Sequence, residues 1–202
     1  MPPRFIARQL SRPTGVGGRL IAWLMNRTNA AINVFAVQQL DLRPVDRVLE
    51  IGFGGGVTLP SLLKTSSFVA GVDRSPDVVS RATARFAQAV RAGRADFRVG
   101  TVEALPFEAR SFDKVCTVNT VYFWSSLQQG FAEIRRVLTP SGRVVIGFLP
   151  KERMDRMEMP TDIFTSRSPD SITAALSETG FTNVRCERPT PETPWMVIVA
   201  SR

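Results

Sequence analysis

The sequence predicts an α/β protein with a doubly wound, mostly parallel sheet of about seven strands, preceded by N-terminal helices. Two observations lead to this prediction. Short apolar strands alternate with amphipathic helices from residue 45 to residue 148, a pattern typical of parallel βαβ units. A run of glycines at 52–56 directly follows the first strand, which is where folds of this class bind their ligands.

Length and composition indicate one domain. The chain has 202 residues, of which 44% are hydrophobic and 22% charged, so it is long enough to bury a full core. We divide it into a basic arm at 1–18 and a single domain at 19–202. Within the domain we expect an N-terminal helical lid at 19–44, a core that binds the ligand at 45–150, and a C-terminal part of the sheet at 151–202.

The elements follow from apolar spacing and from residues that begin or end helices. Serine followed by proline at 75–76 and 168–169 predicts two helix starts, because serine caps a helix and proline suits its first turn. Gly180 predicts a helix end, and Pro140-Ser141-Gly142 predicts a turn before the fifth strand. The predicted strands are 45–51, 68–72, 95–99, 112–118, 144–148, 184–186 and 195–200. The predicted helices are 57–63, 75–91, 127–138 and 168–179, with one or two more in 19–40.

The N-terminus is strongly basic, and the whole chain has a formal charge of +8. The first 40 residues contain five arginines and no acid. Three interpretations compete: a solvated arm, a surface for an anionic substrate or lipid headgroups, and a nucleic-acid contact. The longest apolar run there, 20–25, is too short for a membrane span or a secretory signal, so we expect a cytoplasmic protein.

Several chemistries are disfavoured by composition. The chain has no histidine, which excludes histidine-based triads and a histidine general base. Its two cysteines, Cys116 and Cys186, lie far apart and are interpreted as buried free thiols in a reducing compartment. Because no cluster of acids and cysteines has the spacing of metal ligands, we expect no dependence on a metal.

The glycine run is the most informative motif, since glycine lets a backbone bend sharply and approach a ligand closely. A phosphate-binding P-loop requires Gly-Lys-Ser/Thr, but Val57 and Thr58 follow the glycines. A dinucleotide fingerprint requires a small residue three positions after its second glycine, where this chain has the bulky Val57 or Leu59. A P-loop and a dinucleotide site are therefore both disfavoured.

Glu50-x-Gly52-x-Gly54-x-Gly56 resembles the first motif of the class I S-adenosylmethionine (SAM)-dependent methyltransferases. Asp73, 21 residues after Gly52, resembles the acid that binds the ribose in that family, and a carboxylate there is able to accept both ribose hydroxyls. The resemblance implies SAM as the cofactor and S-adenosylhomocysteine as the product. It places the cofactor against Glu50, Gly52, Phe53, Gly54, Gly56, Asp73 and Arg74.

The resemblance extends over roughly residues 45–150. Two further blocks, 100–107 (GTVEALPF) and 111–115 (SFDKV), are similar to the third and fourth motifs, and the order of blocks is similar to the ubiquinone-biosynthesis-like branch. That branch often has an acid after the glycine of the third motif, whereas this chain has Thr101. Adenine recognition is therefore assigned either to Thr101 with the backbone of Val102 or to Glu103.

The part of the site expected to bind the methyl acceptor lies at the end of the fourth strand, at residues 118–124 (VNTVYFW). In the resembled family this strand end lies beside the reacting methyl group. Asn119 is expected to contact the amino-acid end of the cofactor or the acceptor, and Asn119 and Tyr122 are the catalytic candidates. Tyr122, Phe123 and Trp124 are expected to form an apolar pocket or to hold a cation. The helical segment with Asn26, Asn29 and Asn33 is a candidate lid, unless these residues form an ordinary helix surface.

The sequence thus favours methyl transfer to a small molecule by in-line displacement, driven by positioning and desolvation. A lipid headgroup is a variant of this hypothesis. Amino-group methylation of a nucleic-acid base is disfavoured, because residues 119–122 lack the two prolines typical of that activity. A nicotinamide-dependent oxidoreductase and a catalytically silent SAM-binding domain are two competing hypotheses. The sequence identifies neither the acceptor nor the oligomeric state.

Overall fold

The computed structural model describes residues 29–202. The predicted basic arm at 1–18 and residues 19–28 of the predicted lid, including Asn26, lie outside the described residues. No helix within 29–202 is both long and apolar enough to cross a membrane.

Seven strands and seven α-helices make up the described chain. The strands are β1 Arg47–Ile51, β2 Phe68–Asp73, β3 Ala95–Val99, β4 Phe112–Val118, β5 Leu138–Phe148, β6 Thr182–Glu187 and β7 Met196–Ser201. The helices are α1 Ala30–Gln39, α2 Leu59–Thr65, α3 Pro76–Arg85, α4 Ala87–Arg91, α5 Leu127–Val137, α6 Lys151–Arg156 and α7 Pro169–Glu178, with a 3₁₀ turn at Val121–Phe123.

The strands form one sheet in the order β3-β2-β1-β4-β5-β7-β6. Strands β1 to β5 are parallel, and β7 pairs in the antiparallel direction with both β5 and β6. The chain therefore moves outward from β1 to β3 and then returns to place β4 on the other side of β1. This reversal creates a crevice at the carboxyl ends of β1 and β4. The predicted fold class is confirmed.

A hydrophobic cluster covers each face of the sheet. One includes Leu49, Phe131 and Ile172 and lies under α5 and α7; the other includes Ile32, Val48 and Leu62 and lies under α1 and α2. Alternate residues of β1 supply opposite clusters, because successive side chains of a strand point to opposite faces. Both faces of the central strands are thus buried, which explains their near-continuous apolar runs.

The predicted helix at 75–91 is wrong as a single element. It divides into α3 and α4 at Phe86, which leaves helical geometry with φ −108° and ψ 26°. The ring of Phe86 packs against that of Phe97, with centroids 5.9 Å apart. Ser75 does precede α3, but its side chain makes no capping hydrogen bond there, whereas Ser168 caps α7 by accepting from the N–H of Ser171.

The turn predicted at 140–142 does not begin the fifth strand. Strand β5 already starts at Leu138, which pairs with Phe112, and pairing resumes between Arg143 and Lys114. The residues between Leu138 and Arg143 therefore bulge out of the ladder. Proline lacks the N–H that a regular ladder needs and is tolerated at such a bulge.

Candidate functional site

A cleft opens at the carboxyl ends of β1, β2 and β4, where the topology reverses. It encloses about 1140 Å³ of empty space, counting its open mouth. Its walls come from the glycine loop after β1, the end of β2, the loop after β3 and the turn after β4, with Asn29 and Asn33 at the start of α1. Of the residues predicted to form the site, the structure places these at the cleft: Glu50, Gly52, Phe53, Gly54, Asp73, Arg74, Thr101, Val102, Glu103, Asn119, Phe123 and Trp124.

The glycine loop adopts a conformation that side chains disfavour. Gly52, Gly54 and Gly56 have φ of +69°, +50° and +62°, in the left-handed region. A Cβ at Gly52 would collide with Thr120, and one at Gly56 would lie 2.8 Å from Leu59. A Cβ at Gly54 would meet no atom within 4 Å. Gly54 therefore faces open space, whereas Gly56, which does not line the cleft, allows close packing of α2.

Asp73 ends β2 with a buried carboxylate that two backbone groups hold in place. One oxygen accepts from the N–H of Gly54 at 3.0 Å, and the other accepts from the N–H of Ser75 at 2.9 Å. Burial raises the pKa of Asp73, and these two hydrogen bonds oppose the shift. Each oxygen keeps a lone pair, so the carboxylate is oriented and still able to accept hydrogen bonds from a ligand.

Glu50 lies at the bottom of the cleft and is almost completely buried. The hydroxyl of Thr58 lies 2.5 Å from both carboxylate oxygens. Burial raises the pKa of Glu50 to about 7. The hydrogen bond from Thr58 acts to lower this pKa, and the negative charge of Asp73 acts to raise it further. An unfavourably buried carboxyl beside a cavity is better stabilised when a cationic ligand occupies that cavity.

The loop after β3 forms the third wall. Val102 is buried, and Thr101 forms an isolated bridge with Ala104. Glu103 accepts from both the N–H and the hydroxyl of Ser125, at 2.7 and 2.9 Å. Although burial acts to raise the pKa of Glu103, its hydrogen bonds together lower it. Glu103 therefore ties this loop to the start of α5 while it lines the cleft.

The turn after β4 forms the fourth wall. Asn119 has a left-handed φ of +57°, and its backbone N–H donates to the carbonyl of Gly147 at 2.8 Å. Phe123 and Trp124 also line the cleft. Residues 160–167 lie behind this wall: the ring of Phe164 is 4.7 Å from that of Phe123, and Arg167 donates to the carbonyl of Trp124 at 3.0 Å.

Tyr122, like Gly56, is a predicted site residue that does not line the cleft. It is buried outside the cleft lining, and its phenol oxygen accepts from the N–H of Leu149. The same hydroxyl donates to the side-chain oxygen of Asn119 at 3.2 Å. Burial strongly raises the pKa of Tyr122, so the phenol is neutral at physiological pH. Tyr122 therefore does not belong to the predicted substrate pocket. The physical reason is that a tyrosine ring is readily buried when its hydroxyl finds hydrogen-bond partners, as it does here.

Among the residues that sequence reasoning missed are Thr120, which lines the cleft, and Thr58, which lies outside the lining and contacts Glu50. Thr58 reaches Glu50 across eight residues of sequence, and Thr120 lies against the glycine loop across 68 residues. Threonine has no strong preference for such contacts. The sequence offered one indication of the role of Thr120, namely its place directly after Asn119 at the end of a central strand.

Comparisons with known proteins agree with this geometry. A family model described as a methyltransferase domain matches residues 49–146. The chain is 30% identical over 135 residues to the uncharacterized methyltransferase YdaC of Bacillus subtilis, covering 66% of this chain and 72% of YdaC. It is 35% identical over 115 residues to the ubiquinone/menaquinone biosynthesis C-methyltransferase UbiE of Geotalea daltonii, covering 55% of this chain and 49% of UbiE.

The fold is also similar to that of a solved structure. Geranyl diphosphate C-methyltransferase from Streptomyces coelicolor A3(2), solved with Mg²⁺, geranyl diphosphate and S-adenosylhomocysteine, superposes with a TM-score of 0.74 at 16% identity. The match covers 96% of this chain and 87% of that one. At 16% sequence identity this similarity shows a shared fold alone. The chain spans about half the length of the curated UbiE relative and nearly three quarters of YdaC.

Proposed function

From the premise that this chain belongs to the class I SAM-dependent methyltransferases, on the ubiquinone-biosynthesis-like branch, we propose that it methylates a small molecule by in-line displacement. The observation that supports this proposal is the cleft, which a glycine cradle, two buried carboxylates and two aromatic residues line together.

The cofactor half of the cleft fits SAM. Gly54 leaves space that a side chain would fill, and Asp73 offers an oriented carboxylate to the two ribose hydroxyls. When ionised, the carboxylate of Glu50 would face the cationic methionine moiety, and that positive charge would oppose the effect of burial, which raises the pKa of Glu50 to about 7. Asp73 ends β2 and Asn119 follows β4, the two strands that flank β1, so two strand spacings separate their backbones by roughly 10 Å. Such a ligand would therefore span the cleft from Asp73 towards Asn119.

The acceptor half of the cleft works by positioning and by excluding water. When bound, SAM supplies a methyl group already activated on a sulfonium. Asn119, Phe123 and Trp124 line this half, and none of them is titratable at neutral pH. Among the described residues that line the cleft, the titratable side chains are Glu50, Asp73, Arg74 and Glu103, which we assign to the cofactor half. The protein therefore contributes alignment and desolvation, and we propose an acceptor that requires no general base.

We propose that the reaction requires no metal. The similar fold of geranyl diphosphate C-methyltransferase was solved with Mg²⁺, so this proposal rests on the residues of the present chain. Within residues 29–202, no three acids or cysteines lie close enough together to share a metal ion. Contact of the basic N-terminus with an anionic substrate or a membrane surface stays a prediction, because the arginines concerned lie outside the described residues.

The first test is calorimetric titration of the purified protein with S-adenosylhomocysteine, with NADH as the control. We expect micromolar binding of S-adenosylhomocysteine alone. Preferential binding of NADH, or no binding of either ligand, would contradict the proposal. A screen of small-molecule acceptors with labelled SAM then identifies the substrate, with and without a chelator to test metal independence.

Asp73→Ala should weaken binding of S-adenosylhomocysteine by ~1.5–3 kcal/mol, the scale of removing hydrogen bonds to a charged group. The alanine removes the acceptors for the ribose and also releases the N–H of Gly54. Calorimetry measures the change in affinity.

Asp113→Ala is a matched control for this variant. Asp113 accepts from the backbone N–H of Arg47 at 2.9 Å and from the hydroxyl of Thr139 at 3.3 Å, and it does not line the cleft. Its loss should reduce thermal stability and leave the affinity unchanged. Equal affinities of Asp73→Ala and the wild-type protein would refute the ribose role.

A further inference from the structure

The side chain of Thr120 connects the two halves of the cleft. Its hydroxyl accepts from the indole N–H of Trp124 at 3.2 Å. It also forms a short hydrogen bond with the hydroxyl of Thr117, and Thr117 donates to the carbonyl of Ile51 at 3.0 Å. A continuous chain of hydrogen bonds thus runs from the aromatic wall to the residue that precedes the glycine loop.

The direction of this chain is fixed by its two ends. An indole N–H only donates, and a backbone carbonyl only accepts. The hydroxyl of Thr117 uses its proton on the carbonyl of Ile51, so the proton between the two threonines must come from Thr120. Thr120 therefore accepts from Trp124 and donates to Thr117, and both hydroxyl protons in the chain are used. Such a chain holds the indole in one orientation.

The methyl group of Thr120 makes a separate contact. It lies against the Cα of Gly52, so closely that a Cβ at that glycine would overlap it. Gly52 has a left-handed φ of +69°, and its N–H donates to the carbonyl of Val72 at 2.7 Å. The methyl therefore supports the first bend of the glycine loop, while the hydroxyl points towards Trp124.

We propose that Thr120 is a positioning residue with two separable roles. Its methyl group supports the glycine loop for the cofactor, a role that rests on the proposed function. Its hydroxyl fixes the indole of Trp124 as the wall of the acceptor pocket. The two halves of the cleft are thus aligned with each other by one side chain.

Two conservative variants separate the roles. Thr120→Ser keeps the hydroxyl and loses the methyl, whereas Thr120→Val keeps the methyl and loses the hydroxyl. We expect Thr120→Ser to weaken S-adenosylhomocysteine about threefold to tenfold in calorimetry, the scale of losing one buried methyl contact. Thr120→Val should stay within about twofold of the wild-type affinity, since it retains that contact.

The indole N–H of Trp124 reports on the hydroxyl without any ligand. The chain has three tryptophans, so ¹⁵N-tryptophan labelling gives one indole signal for each, and Trp124→Phe identifies the signal of Trp124. In the wild-type protein and in Thr120→Ser, this N–H should exchange slowly with solvent. In Thr120→Val, its exchange should be at least about tenfold faster and its chemical shift should move, because the donor loses its acceptor.

The result that would overturn the proposal is a loss common to both variants. If Thr120→Ser and Thr120→Val weaken the ligand equally, or if the Trp124 signal is unchanged in Thr120→Val, the separate roles are wrong. Should Thr120→Val not fold, Thr120→Ala should show both losses together. A wild-type protein that binds no S-adenosylhomocysteine contradicts the proposed function and the cofactor role of Thr120, and the indole measurement still decides the hydroxyl role.

Discussion

We expect Gly54→Val to abolish binding of S-adenosylhomocysteine while the protein stays folded. A Cβ at this position meets no protein atom within 4 Å, so the valine side chain would occupy the space that the ligand needs. The affinity should fall at least about 100-fold, which corresponds to ~2.7 kcal/mol. Calorimetry measures the affinity, and thermal unfolding followed by circular dichroism verifies the fold.

Gly93→Val is the matched control for this prediction. Gly93 also has a left-handed φ, of +67°, and its Cβ would likewise meet no atom within 4 Å, but it lies in a turn after α4 outside the cleft. Both variants should lose a similar amount of stability, about 1–3 kcal/mol for a strained backbone. Only Gly54→Val should lose the ligand. Normal binding by Gly54→Val would show that the cofactor does not approach the loop at this glycine.

The second large effect concerns Glu50. Because its pKa is about 7 in the folded protein and 4.5 ordinarily, the folded chain retains a proton that the unfolded chain releases between these values. The contribution of Glu50 to the free energy of unfolding therefore falls as the pH rises from about 4.5 to 7 and stays low above that range. At about 1.36 kcal/mol per pKa unit, the loss is about 3 kcal/mol.

Glu50→Gln should accordingly raise the free energy of unfolding at about pH 8 by up to about 3 kcal/mol and change it little at about pH 4. Denaturant unfolding of the variant and the wild-type protein at both pH values measures the difference. The same variant should bind SAM more weakly, because the amide carries no charge to face the cationic ligand. A carboxylate retained at a cost in stability is typical of a functional site.

Glu103→Gln provides a control of opposite sign. Hydrogen bonds lower the pKa of Glu103, so its carboxylate stabilises the fold above its ordinary pKa, and this stability is lost as the pH falls through the folded-state value. Glu103→Gln should therefore destabilise the protein at about pH 8. If Glu50→Gln also destabilised it at that pH, the buried carboxylate would be favourable and our account of Glu50 would be wrong.

Local patterns were sufficient to predict most elements. Strands β3 and β4 lie at the predicted residues, because an apolar run between turn residues is specified by its own sequence. The breaks that tertiary packing imposes were not predictable in this way. Phe86 interrupts a good helical pattern to pack near Phe97, and the bulge before Arg143 arises from pairing with β4.

The amino-acid sequence alone predicted the fold class, the family and the cofactor-binding motif, because each depends on glycines and acids at fixed sequence distances from a predicted strand. Which neighbouring residues face the cleft depends instead on how the chain packs. Tyr122 and Phe123 are adjacent in the chain, yet of the two only Phe123 lines the cleft, since the 3₁₀ turn directs the phenol of Tyr122 to Leu149. The role proposed for Thr120 depends on contacts between separate segments of the chain. The contact of Thr120 with the glycine loop exists only once β1 and β4 lie side by side.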